Sequence, residues 1–293
     1  MEPNQWLAEL FQADRRRLRK LAYRLLGSST DADDAVQEAW LRLSRSDASG
    51  IDNLSGWLTT VVARVCLDML RGRKSREQAL GLIADQWAGS QETPDLEEKE
   101  LIADSVGLAL MVVLEKLAPA ERIAFVLHDV FDVPFEEIAG VVGRTTDAAR
   151  QLASRARRRV RGQAVVSADE LSTRRRIVTQ FLDAIRAGDM DAILAILDPD
   201  VEIRVDASAA PHRRPVEARG SAAVARGALA FAARARFATL MLVNGVPGIV
   251  AAPGGRARYI LMLDIADAKI KTIDVIGDPG RLKIIELASL ELN

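Results

Sequence analysis

At 293 residues the chain is longer than one typical domain, and 49% hydrophobic content with 28% charged residues places it among soluble globular folds of two or three domains. No run of about eighteen apolar residues occurs, the amino terminus MEPNQWLAEL lacks a basic stretch followed by an apolar one, and Cys66 is the only cysteine. These features point away from a membrane span, a secretory leader, an internal disulfide and a cysteine-based zinc site. A cytoplasmic protein with no metal and no cofactor is expected. Formal net charge is only -1, yet arginines crowd 15–20, 71–76 and 144–161 while 92–104 is acidic, so the charge is segregated and one face can meet DNA.

From Asn4 to Arg76 the pattern is helical in three blocks, separated at 27–30 and 47–53. In the second block Thr30 is the expected cap, with Asp33 three residues on, and Ala32, Ala35, Val36, Ala39, Trp40 and Leu43 form an apolar stripe. Its other side carries Asp34, Gln37, Glu38 and Leu41, which reads either as a docking face for a basic partner helix or as a solvated face. In the third block Ser55 is the expected cap and Leu58, Val61, Val62, Val65 and Met69 are expected inside. Thr60, Arg64, Asp68 and Arg71 face out beside Trp57, a basic helix end suited to melted or duplex DNA. Between Glu77 and Asp104 periodicity fades into a linker.

Helices resume at 105–117 and 119–131, where His128 has no second histidine nearby and reads as an ordinary helix residue. The stretch from Pro134 to Arg161 predicts a helix-turn-helix. Pro134 suits the first helical position, Glu136 and Glu137 favour the positive end of the helix dipole, and Phe135, Ile138, Ala139 and Val142 make one buried face. Gly143 stops that helix. In the second helix Ala149, Leu152, Ala153, Ala156 and Val160 form the packing stripe, leaving Thr146, Asp147, Arg150, Gln151, Ser154, Arg155 and Arg158 outward. Arginine can pair bidentately with guanine or clamp phosphate and glutamine can pair with adenine, so this set suits both positioning and reading of a major groove, the alternative being a solvated basic helix in an ordinary bundle.

Past Gly162 the character changes. Helices at 173–187 and 190–197 precede a strand at 201–206, another helix at 221–233, and strands at 237–243, 248–252, 258–265 and 269–275, with turns at Asn244-Gly245 and Gly254-Gly255. Helices followed by a curled antiparallel sheet make an α+β roll.

The order acidic-faced helix, Trp-bearing basic helix, linker and helix-turn-helix, over about Asn4 to Arg161, resembles the extracytoplasmic-function sigma factors of bacterial RNA polymerase. The expected fold is multidomain: two all-α domains, sigma region 2 at 1–78 and sigma region 4 at 105–163, joined by the linker 79–104 and followed at 173–293 by a SnoaL-like cone-shaped α+β roll. The resemblance implies that Asp31 to Leu43 docks on the β′ clamp helices of core polymerase through Asp34, Gln37, Glu38 and Leu41. The β flap is a further implied partner. It implies promoter melting and minus-ten reading by Gly56 to Asp68, with Asn53, Trp57, Thr60, Arg64 and Arg71 on DNA and a flipped nontemplate base held by the loop 47–54. Region 4 would read the minus-thirty-five element with Thr146, Arg150, Gln151, Ser154, Arg155 and Arg158.

The segment Ala149 to Arg157 is similar to the subgroup that carries an extra C-terminal domain. Val243 to Gly248 and Gly277 to Leu282 look like that subgroup's segments, whereas its glycine-rich motif is absent where 206–212 stands and only Trp87 remains of its tryptophan-proline motif. The short connection from Gly162 to Ser172 holds the roll at high effective concentration beside the two DNA-binding domains, so regulation from within the chain, in place of a separate anti-sigma protein, is expected through Trp87, Asp278, Pro279 and Arg281. The resemblance implies room in the roll's pocket for a small-molecule ligand. The implied chain is no enzyme, touches no membrane and sits on the nucleoid when in holoenzyme. Two other classes stay open: a one-component regulator whose roll binds a ligand, and a cyclase or isomerase using Asp206, His212 or Asp274 as acid or base.

Overall fold

The computed structural model describes residues 3–46, 51, 53–79 and 105–290. Trp87, the linker from 80 to 104 and most of the loop 47–53 lie outside the described residues. The chain divides into two compact units, Met1–Glu98 with Leu117–Arg158 and Lys99–Lys116 with Arg159–Asn293.

The first unit opens with α1 (Pro3–Leu26), α2 (Ser29–Arg45) and α3 (Leu54–Ala79), which pack on one another. Gly27 turns the chain at a φ of +69°, and Ser28 then caps α2 by accepting the Asp31 N–H at 3.3 Å. The cap therefore sits two residues before the expected Thr30, which lies in the first turn. The stripe Ala32, Ala35, Val36, Ala39 and Leu43 is buried as its spacing predicts, while Trp40 is only partly covered and stacks on Phe11 with ring centroids 5.0 Å apart.

At α3 the cap is also displaced. Asn53 Oδ1 accepts the Gly56 N–H at 2.9 Å, while the expected cap Ser55 instead accepts from the Arg17 guanidinium through its hydroxyl and its carbonyl. Leu58, Val61, Val62 and Val65 are buried as expected, but Met69 is half-exposed. A second stripe, Thr59, Ala63, Cys66 and Leu70, is buried too. Two stripes are needed because α3 packs both on α1 and α2 and on two helices from later in the chain. Burial pushes the Cys66 thiol pKa well above its ordinary value, which makes it an inert core group.

After residue 116 the first unit continues with α5 (Pro119–Phe125), a π turn over Val126–Val130, α6 (Phe135–Val142) and α7 (Thr146–Arg161). Pro134 is the cap of α6 rather than its first residue, and Gly143 ends it in the left-handed region at φ +68°. His128 lies on the π turn, with Nδ1 3.2 Å from the Val133 carbonyl and its ring 3.9 Å from Phe135.

The second unit holds α4 (Ser105–Lys116), α8 (Ala168–Ala187), α9 (Met190–Ile196), α10 (Ser221–Ala230), α11 (Ala232–Ala235) and α12 (Pro279–Ile284). Their partner is one seven-stranded sheet ordered β2-β1-β6-β5-β4-β3-β7: β1 (Leu197–Val205), β2 (Val216–Arg219), β3 (Ala238–Val243), β4 (Val246–Ala251), β5 (Tyr259–Ala266), β6 (Lys269–Ile276) and β7 (Leu287–Ser289). All pairs are antiparallel except β1 with β6, which is parallel. Helix α8 buries Ile177, Val178, Phe181 and Ile185 in a core with Ile249, Leu261, Leu263 and Ile273 of the sheet. The α+β roll expected from the sequence is formed, with β2, α12 and β7 added to the predicted elements, but the sheet is mixed rather than wholly antiparallel because β1 pairs with β6 in parallel.

Helix α4 is apolar nearly all round, burying Leu108, Ala109, Met111, Val112, Val113 and Leu114. It packs on β3, β7 and the turn Pro253–Gly255. A Cβ on Gly255 would lie 3.1 Å from that of Met111, Glu115 pairs with Arg256 at 3.5 Å, and Lys116 Nζ donates to the Leu282 carbonyl of α12.

Candidate nucleic-acid and polymerase interface

The helix-turn-helix is built as its pattern predicts except at Phe135, which is half-exposed against His128 and Arg150, while Val141 joins the buried face. Ile138, Ala139, Val141 and Val142 of α6 and Ala149, Ala153, Ala156 and Val160 of α7 are buried, with Leu152 partly so. Thr145 Oγ1 accepts the Ala148 N–H and starts α7. Arg150, Gln151, Ser154, Arg155 and Arg158 are exposed along one side, and Thr146 and Arg157 are half-exposed.

Three of the α7 arginines are held by carboxylates. Arg150 donates to Asp147 at 3.0 Å and to Glu136 of α6 at 3.3 Å, its guanidinium 5.8 Å from the centre of the Phe135 ring. Arg155 pairs at 3.6 Å with Glu121 of α5, a carboxylate only 6% exposed whose other oxygen accepts the Ala118 N–H. Arg157 is bound at 2.6 Å to Asp129 of the π turn. No spacing rule pointed to Glu121 or Asp129, because both reach α7 only through the folded packing.

On α2, Asp34, Gln37 and Leu41 are exposed and Glu38 is half-exposed, tied to Arg42 at 2.9 Å. Gln37 also lines a groove of about 310 Å³ between α1 and α2, with Phe11, Arg15, Asp33 and Trp40. The basic segment at 15–20 is in part internal wiring. Arg17 ties α1 to Ser55 and Thr59, and Arg19 pairs with Asp33 at 2.9 Å. Burial pushes the Asp14 carboxyl up, but the Ser55 hydroxyl and Arg17 outweigh it and hold its pKa below the usual range.

On α3, Asn53, Arg64 and Arg71 are exposed and Trp57 and Thr60 half-exposed. Arg71 lies 4.0 Å from Asp68, and Arg73 bridges Asp31 and the Leu26 carbonyl. Arg64 donates to the Gly140 carbonyl of α6 at 3.1 Å, and buried Arg122 of α5 donates to the Leu25 carbonyl of α1 at 3.0 Å. The three-helix segment and the helix-turn-helix are thus stitched together within one unit.

The matches to known families follow these two segments. Sigma-70 region 2 matches residues 10–76 and Sigma-70 region 4 matches residues 107–160. ECF RNA polymerase sigma factor SigJ of Mycobacterium tuberculosis is 37% identical over 92% of this chain and 91% of its own length. The chain belongs to the ECF RNA polymerase sigma factors. The probable ECF sigma factor SigI of the same organism is 34% identical over 93% of each chain. The crystal structure of Mycobacterium tuberculosis SigJ is 35% identical, covering 94% of this chain and 98% of that one, with a TM-score of 0.46. This sigma factor carries both helical regions followed by a strand-rich roll.

In the roll of the sigma factor Asp206 is a tether. It accepts the Ala209, Gly277 and Asp278 N–H groups, each at 2.9 Å, with Arg281 3.9 Å away. Burial pushes the Asp206 carboxyl up, but those three N–H groups and Arg281 outweigh it and hold its pKa below the usual range. Asp278 caps α12 through Arg281 N at 2.8 Å, and Pro279 is its first residue. The acid-base candidate Asp206 thus serves as an acceptor for three backbone N–H groups. Asp274 faces Arg204 at 4.0 Å, and His212 sits in a turn with φ +59°. A cleft of about 300 Å³ on the roll is lined by Val166, Arg174, Asn244, Met262, Asp264 and Asp274 among others. Among the described residues no helix is long and apolar enough to cross a membrane, and no cluster of metal-ligating side chains occurs.

Proposed function

We propose that this alternative sigma factor, which directs transcription initiation as its family does, contacts the β′ clamp helices of core polymerase with Asp34, Gln37, Glu38 and Leu41 and the β flap with region 4. It melts and reads the minus-ten element with Asn53, Trp57, Thr60, Arg64 and Arg71, and reads the minus-thirty-five element with α7. The observation that carries the reading is the division of α7: Ala149, Ala153, Ala156 and Val160 are fully buried while Arg150, Gln151, Ser154, Arg155 and Arg158 share the open side. A helix so divided can enter a major groove with its arginines on base edges and phosphates. The site of action is the cytoplasm.

The roll regulates these steps from within the chain and is not a catalyst. Supporting this is the engagement of Asp206 with three backbone N–H groups, which gives its carboxylate a structural role in holding the tail. Asp278, Pro279 and Arg281 lie on the tail that Asp206 holds, and that tail meets α4, part of the region 4 match, through Lys116 and Leu282. The roll's cleft offers room for a small ligand.

Potassium permanganate footprinting of the holoenzyme on its promoters tests the DNA half of the reading. Full-length protein should give reactive thymines around the minus-ten element, and Trp57→Ala should reduce that reactivity. Promoter opening that needs no residue of α3 would overturn it.

A further inference from the structure

Two pairs of exposed arginines in the helix-turn-helix differ in their partners. Arg150 and Arg155 are engaged by carboxylates: Arg150 uses one terminal nitrogen on Asp147 of its own helix and the other on Glu136 of α6, and Arg155 faces Glu121 of α5. Arg144, in the turn beside the start of α7, and Arg158, two turns beyond Arg150, are exposed with no carboxylate partner among the described residues. Both groups lie on a segment that must meet a densely charged duplex, so the pairing has consequences for which DNA groups each arginine can accept.

We propose that Glu136 and Asp147 are specificity-determining residues: they screen Arg150 from phosphate and so reserve it for a base edge, while Arg144 and Arg158 serve as the phosphate grips. The inference rests on α7 being the promoter-reading helix, and it assigns roles to Glu136, Asp147 and Arg144 that the helix-turn-helix pattern does not. A phosphate approaching Arg150 brings a negative charge beside two carboxylates, so their repulsion offsets much of the attraction that the guanidinium offers. A guanine edge brings no net charge. It presents O6 and N7 acceptors that take both terminal N–H groups at once, in place of two carboxylate bonds that are charge-assisted but solvent-exposed, so that giving them up costs little. Repulsion therefore acts against any register in which Arg150 would merely hold backbone, and leaves the base-paired register nearly untouched. Specificity gained by penalising the wrong contact needs no additional favourable contact to the right one. Arg144 sits at the end of the motif where the first helix passes the DNA backbone and the second enters the groove. Without a carboxylate beside it, Arg144 keeps its full attraction for phosphate.

The test uses holoenzyme reconstituted from core polymerase and the full chain. Its probes are upstream duplexes that the wild-type holoenzyme selects from a randomised pool, and scrambled duplexes of equal composition. Glu136→Gln with Asp147→Asn should tighten binding to scrambled duplex about threefold to fivefold and change selected duplex by less than about twofold. The salt slope on scrambled duplex should steepen by about 0.9, the value of one added phosphate contact. Arg144→Ala and Arg158→Ala should weaken both duplexes equally and flatten both slopes. Arg150→Ala should lose preference at one base pair, and if it does not, the base-reading assignment itself fails. If Arg150→Ala loses that preference while the double variant leaves the selected-to-scrambled ratio and both slopes unchanged, or weakens both duplexes alike, the screening role is overturned. Both carboxylates are exposed, so the variants keep the fold, and thermal melting checks this.

Discussion

Asp206 shows how one side chain can hold a loop and a tail together. Its carboxylate accepts backbone N–H groups from residue 209 and from residues 277 and 278, joining the end of β1 to the start of α12. Asp206→Ala would leave three donors without their acceptor, and we expect the roll to lose about 2–4 kcal/mol, read by denaturant unfolding. Because the folded-state pKa is held below the unfolded value, the contribution is fully present above about pH 4 and is lost as pH falls through the folded value. The stability difference between wild type and Asp206→Ala should therefore be constant from neutral pH down to about pH 5 and shrink in stronger acid. Gly277 is packed under the same clamp. A Cβ there would lie 2.9 Å from the Ala209 nitrogen and 3.0 Å from its Cα, backbone that cannot swing aside. Gly277→Ala should cost about 1–3 kcal/mol by the same measurement.

At the scale of elements, legibility followed locality. The helices at 3–26, 29–45, 54–79, 135–142 and 146–161 were readable because an apolar face repeats every three to four residues and glycines mark their ends. Strand β2 was missed because its four residues, Val216 to Arg219, form a mostly exposed edge just after Pro215, and β7 because three residues carry no period. The caps were each displaced because several polar residues stand before a helix and only geometry chooses among Ser28 and Thr30, or Asn53 and Ser55. The tether at Asp206 was illegible since its partners lie 71 and 72 residues away. For the outward sets the sequence was sufficient to say which residues face solvent, but not which carboxylates would claim Arg150 and Arg155. Helix α2 gives a prediction at this scale. Its core stripe is independent of Asp34 and Glu38, so Asp34→Lys with Glu38→Lys should weaken binding to core polymerase at least tenfold. Thermal stability should change by no more than the exposed Glu38–Arg42 pair contributes, about 0.5 kcal/mol. Unchanged polymerase binding by the folded double variant would remove α2 from the interface.

For the whole molecule, two observations constrain how its parts can work. Arg64 of α3 bonds the Gly140 carbonyl of α6, and Arg122, 8% exposed, bonds the Leu25 carbonyl. Promoter elements about 25 base pairs apart are separated by about 85 Å at 3.4 Å per pair, so if α3 and α7 hold both as proposed, those two bonds break. A reducible bifunctional linker joining cysteines on α3 and α6, placed outside the residues assigned to DNA, should therefore abolish promoter opening and restore it on reduction. The second observation concerns truncation. Removing everything after Gly162 takes away β3 and β7, on which α4 packs, and would expose Met111 and Val112. Such a protein should aggregate more readily than one shortened after Gly277, which keeps both Gly162 and the strand β3, and promoter output should change differently in the two.

The central claim is promoter-directed initiation by this chain on core polymerase. Run-off transcription from genomic promoter fragments, with core polymerase and the full chain as the only protein components, measures it directly. Discrete transcripts should appear only when the chain is present, and should disappear when Asp34 and Glu38 are reversed or when α7 loses Arg150 and Gln151. Core polymerase that starts no new transcript with the folded full chain, on any promoter fragment of the genome, would contradict it.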